Sequence, residues 1–97
     1  MIRHVVSWNY KEEVSAEKKE ELYAYFKEAF SALKEKVPGV ISISVGAPPL
    51  PSSTKELCLY VEMQEESVLP LYAGHPDHLA IVEVIKRFCQ DRCCVDF

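Results

Sequence analysis

No run of lysine or arginine occurs in this chain, and its 11 basic residues are outnumbered by 15 acidic ones, for a net charge of −4. Phosphate backbones are held by clustered cations, so nucleic acid is not an expected partner. Nothing approaches the roughly 20 consecutive apolar residues of a membrane-crossing helix. The apolar part of the opening "MIRHVVSWNY" is also too short for a signal peptide. The expectation is a cytoplasmic protein without a membrane partner. Paired-cysteine motifs are missing as well. Cys58 stands alone, and "CQDRCC" places Cys89, Cys93 and Cys94 without the Cys-x2-Cys or His-x3-His spacing of a zinc site. A disulfide framework belongs to secreted chains and is not expected here. Free cysteine behaves as a small buried hydrophobe, so the four thiols read as reduced core packing. No metal and no cofactor is expected. Histidine is scarce, at three: His4, His75 and His78. A metal held by His75 and His78 would need a third ligand such as Glu62, and the spacing does not favour that reading.

What is present is ordinary for a globular chain: 97 residues, 48% apolar and 27% charged. A chain of this length buries roughly 65% of its unfolded surface, enough for one core and one domain over residues 1–97. "IRHVVSWNY" predicts a first strand, with Ile2, His4, Val6, Trp8 and Tyr10 on one face. Ser15 is a good N-cap for a helix from Ala16 to about Val37, whose Leu22, Phe26, Ala29, Leu33 and Val37 recur at helical spacing, with Tyr23 and Phe30 widening the stripe. "VISISVG" is a half-buried strand that sets Ile41, Ile43 and Val45 opposite Ser42 and Ser44. Three prolines make 47–56 a loop, and "LCLYVEMQ" follows as a third strand. "ESVLPLYAG" predicts a short helix capped by Ser67 and ended by Gly74; a further helix starts at Pro76, and "RCCVDF" closes the chain as a strand.

The resulting order, β-α-β-β-α-β, is the ferredoxin-like α+β arrangement: a four-stranded antiparallel sheet, first strand central, helices on one face. The opposite face of the sheet should be wet in a lone unit. It is too apolar for that, which points to a second copy covering it.

The stretch "YAGHPDH" has a bland explanation in part. His75 serves as N-cap, Pro76 as the pre-set first helical residue and Asp77 as an acid at the positive helix end. His78 is different. Its spacing with Val82, Ile85 and Cys89 puts it on the stripe facing the sheet, where an imidazole needs a partner.

With "IRHVVSWNYKEEVS" at the start, "VPGVISISVG" in the middle, "YAGHPDHLAIVEVIK" late and "DRCCVDF" at the end, the chain resembles the stress-responsive A/B barrel (Dabb) family. The resemblance implies a homodimeric α+β barrel, two sheets facing each other with the helices outside. It also implies a comparison with one plant member, a polyketide cyclase that performs an intramolecular aldol condensation without a cofactor. Its catalytic tyrosine and histidine match Tyr72 and His78, a first-strand histidine matches His4, and first-helix pocket aromatics match Tyr23 and Phe26. This chain has Leu59 where that enzyme has a further pocket histidine. The expected acid–base trio is therefore His78, Tyr72 and His4, with Trp8, Tyr23, Phe26 and His75 lining a pocket for a small apolar or aromatic ligand. A histidine of near-neutral pKa can take a proton from carbon beside a carbonyl, and a tyrosine can hold the enolate oxygen. The alternative is a non-catalytic domain for stress response or assembly, with the same residues serving only packing.

Overall fold

A computed structural model describes residues 1–97. The chain runs β1 (Ile2–Tyr10), α1 (Ala16–Lys36), β2 (Val40–Gly46), β3 (Leu57–Met63), α2 (Val68–Ala73), α3 (Pro76–Phe88) and β4 (Cys89–Asp96). The strands form one antiparallel sheet in the order β2-β3-β1-β4, so β1 is interior and the architecture is ferredoxin-like. Alternation decides which residues enter the core. Val6, Trp8 and Tyr10 of β1 and Leu57, Leu59, Val61 and Met63 of β3 point under the helices and are buried. The stripe of α1 meets them with Leu22, Phe26, Phe30 and Leu33.

The helix ends obey their local chemistry. Ser15 accepts from the Lys18 amide, and His75 accepts from the Asp77 amide through Nδ1. Ser67 departs from the expectation: it is already helical in conformation and makes no side-chain cap, its hydroxyl donating instead to Glu65. Gly39, just after α1, has φ 98°, and a Cβ there would come 2.5 Å from Cγ2 of Val68. Only glycine fits that turn.

Two irregularities shift the sheet away from simple alternation. Between Val40 and Ser42 the β2–β3 register slips, which leaves Val40 and Ile43 inward and turns Ile41 out to 41% exposure. Ile41 is therefore not on the inward face with Ile43 and Val45. The second slip is in β4. Ser7 pairs with Cys93 and Asn9 with Gln90, so two residues of β4, Asp91 and Arg92, oppose Trp8 alone. Asp91 takes φ 58°, a left-handed conformation that aspartate tolerates, and receives a hydrogen bond from Asn9. The last strand also begins three residues earlier than "RCCVDF" suggests, at Cys89 directly after α3.

The cysteines divide. Cys89 is buried and Cys58 half-buried, but Cys93 and Cys94 are exposed on the edge strand, so core packing does not account for them. No helix is long and apolar enough to cross a membrane.

A cleft between the central strand and the last helix

Three elements bring the polar residues together. Alternation in β1 turns His4 and Trp8 toward the helices, helical phase turns His78 toward the sheet, and α2 carries Tyr72 in between. The rings make a continuous chain of contacts: His4 to Tyr72 at 5.7 Å edge-on, Tyr72 to His78 at 4.5 Å, and His78 to Phe30 at 6.5 Å. Beside them opens a cleft of about 360 Å³. Val6, Leu59, Phe30 and Ile85 make its apolar lining, His4, Trp8 and His78 its polar points. Lys86 and Arg92, both exposed, bring positive charge to its solvent side.

The protonation of the histidines follows from their partners. A carbonyl can only accept, so the 2.9 Å contact between His78 Nδ1 and the Ala73 oxygen puts the proton on Nδ1 and leaves Nε2 with its lone pair. Burial lowers the His78 pKa from its ordinary value, outweighing the Ala73 bond that raises it; neighbouring His4 and Arg92 lower it further. His78 is thus a neutral imidazole with a free basic nitrogen at neutral pH. His4, 7% exposed, donates through Nδ1 to Asp96 at 2.5 Å, which leaves its Nε2 free as well. Tyr72 is 1% exposed, and burial holds its phenol well above the usual range, so it stays a proton donor. Two donors lack any partner: the Trp8 Nε1–H, in a residue 4% exposed, and the Tyr72 hydroxyl. Leaving such groups unpaired costs about 1–3 kcal/mol each.

The expected lining residues part company here. His4, Trp8 and His78 border the cleft, and Tyr72 packs directly behind two of them. Phe26 does not: it is wholly buried, and Phe30, one turn further along α1, takes the wall position. Tyr23 lies on the flank of the stripe and faces a separate hollow of about 250 Å³ with Tyr10, Pro48 and the Lys19–Glu56 ion pair. His75 is spent on capping α3. Glu62 is on the far face, hydrogen-bonded to Ser42, so it does not join His75 and His78 in a metal site. Conversely, Phe30, Arg92 and Asp96 were not anticipated. Asp96 had a readable signal, since it shares a strand face with Cys94. Arg92 had none, because the bulge that aims it breaks the period of two.

No curated protein matches the sequence. Among solved structures, a dimeric ferredoxin-like protein of unknown function from Bacteroides fragilis is 31% identical, with TM-score 0.90 over 99% of this chain and 93% of its own. A Dabb family protein from Mesorhizobium loti is 21% identical, with TM-score 0.79 over 99% of this chain and 93% of its own. The hydroxynitrile lyase of Passiflora edulis shares the fold at 14% identity and TM-score 0.76, covering 99% of this chain and 90% of its own. Residues 2–97 match the profile described as Stress Responsive A/B Barrel Domain, and the chain belongs to that family.

Proposed function

We propose that the chain is a homodimeric domain that binds a small apolar carbonyl compound in the His4–Trp8–His78 cleft and moves a proton on it without a cofactor. The observation that carries this reading is the pair of unpartnered buried donors, Trp8 Nε1–H and Tyr72 O–H, beside a neutral histidine with a free Nε2. In the proposed reaction His78 takes a proton from carbon next to the carbonyl. Negative charge then gathers on oxygen, where a donor already in place is worth most. Asp96 holds the His4 ring in one orientation through Nδ1. The lining is apolar at Leu59, where the plant cyclase of this family has a histidine, so the proposal is limited to proton transfer of the aldol type and names no product. Four unpaired thiols suit a reducing, cytoplasmic compartment.

Exchange of the acidic carbon-bound proton of an aryl β-diketone in heavy water, followed by NMR, tests the chemistry. Wild-type protein should accelerate exchange, and His78→Ala should lower that acceleration by roughly 100-fold or more. An exchange rate equal in wild type and His78→Ala would overturn the reading.

The dimer has its own support. Val5, Tyr60, Cys58, Cys93 and Val95 gather on the sheet face away from the helices, with Val95 59% exposed and Phe97, just beyond β4, 60% exposed. The Bacteroides fragilis protein is described as dimeric. Light scattering should return about twice the mass of one 11.1 kDa chain; a monomer at micromolar concentration would remove this part of the proposal. The same face favours a second reading, a non-catalytic assembly domain, and the exchange experiment separates the two.

A further inference from the structure

In the proposed reaction His4 serves only as a ring held in place through Nδ1. That nitrogen also belongs to a cluster on the edge of the sheet. Register places Asp96 directly across from His4, and Cys94, two residues earlier on β4, across from Val6. Alternation therefore turns Cys94, Asp96 and His4 to one face. Their donor atoms all lie within 4.8 Å of one another. The Cys94 sulfur is 3.6 Å from Asp96 Oδ1 and 3.9 Å from His4 Nδ1, and the His4–Asp96 edge is 2.5 Å. Two backbone hydrogen bonds between Arg3 and Phe97 flank the cluster and tie down the strand that carries two of its members.

We propose that His4, Cys94 and Asp96 form a binding site for a divalent cation of the zinc or cobalt type. Metal–ligand bonds of about 2.3 Å to sulfur and about 2.0–2.2 Å to nitrogen and oxygen set tetrahedral donor atoms roughly 3.3–3.6 Å apart. The two edges from sulfur are already near that spacing. Only the His4–Asp96 edge must open, which happens when a cation replaces the proton those groups share. One nitrogen, one thiolate and one carboxylate are a borderline-soft donor set, suited to zinc or cobalt and not to magnesium or calcium. Three protein ligands leave a fourth position for water, and the exposure of Cys94 and Asp96 gives the ion a way in. The site faces the helix side, so a dimer formed through the opposite sheet face leaves it accessible.

Binding displaces the Cys94 thiol proton to solvent as the sulfur–metal bond forms. At His4 the ring proton moves from Nδ1 to Nε2 while Nδ1 gives its lone pair to the metal. Occupancy therefore turns Nε2 of His4, a ring that borders the cleft, from an acceptor into a donor. The linear spacing of the cysteines hid this site, because its ligands come from opposite ends of the chain.

Chelator-treated full-length protein titrated with cobalt(II) provides the test, with no organic substrate present. The expected result is one cobalt per chain, with a thiolate-to-cobalt absorption in the near ultraviolet that zinc bleaches. Cys94→Ser should abolish that band and Asp96→Asn should weaken binding at least tenfold. Cys93→Ser, altered on the opposite sheet face, should leave both unchanged. Absence of the band in wild-type protein, or its survival in Cys94→Ser with an unchanged circular dichroism spectrum, would overturn the site. The proton-exchange reading is tested at His78 on metal-free protein, so either proposal can fail without the other.

Discussion

The two halves of the space beneath the helices are built differently. Under α1, Phe26, Leu33, Val61 and Met63 are all completely buried. Under α3, the same sheet presents His4 and Trp8 beside a cleft, with two donors unpaired. The difference begins with the covering helices. A 21-residue helix with a wide stripe closes one half, while a 13-residue helix with only Ile81 and Ile85 buried covers the other, next to an edge strand. The sealed half is continuous apolar core, and the open half sets polar groups beside a cleft.

Truncation in the sealed half should break the molecule. Phe26→Ala deletes a ring with no exposed surface and is expected to lower unfolding stability by about 3–5 kcal/mol, read by denaturant titration. A loss below about 1 kcal/mol would mean the half is not close-packed, and the contrast would fall. In the open half the sign should reverse. Tyr72→Phe removes a hydroxyl with no partner, so stability should rise by about 1 kcal/mol while diketone proton exchange slows. A stability loss of about 2 kcal/mol instead would show that the hydroxyl is satisfied and the halves are alike.

The smallest effect concerns pH. Burial lowers the His78 pKa in the folded state, so the unfolded chain binds the proton more readily. Stability from this group is complete above the ordinary value of 6.5 and is lost as pH falls from there toward the depressed value. Denaturant midpoints measured in this window should show a fall that His78→Gln reduces. An identical fall in His78→Gln would assign the effect to other groups.

The pattern of β1 put His4 and Trp8 on one face with Val6 and Tyr10, because a strand has a period of two; that this face lies under the helices was decided by the fold. The stripe of α3 turned His78 inward, and "GHPD" displayed its own cap. The choice between Phe26 and Phe30 was not visible. Both belong to the same stripe, and which of them reaches the cleft depends on how far α1 slides along the sheet, a quantity no local pattern contains. Cys93 and Cys94 misled for a related reason: their type suggests burial, but on the edge strand β4 of a single chain both are exposed.

By itself the sequence determined the order of the elements, which residues of β1 and β3 share a face, the helix caps at Ser15 and His75, and the inward turn of His78. These follow from spacing and backbone preference over a few residues. Only the tertiary structure decided that two donors would stay unpaired, that a bulge at Asp91 would aim Arg92 at the cleft, and that His4 would meet Cys94 and Asp96. Those outcomes depend on register between strands far apart in the chain, and register is set by the summed packing of the whole sheet.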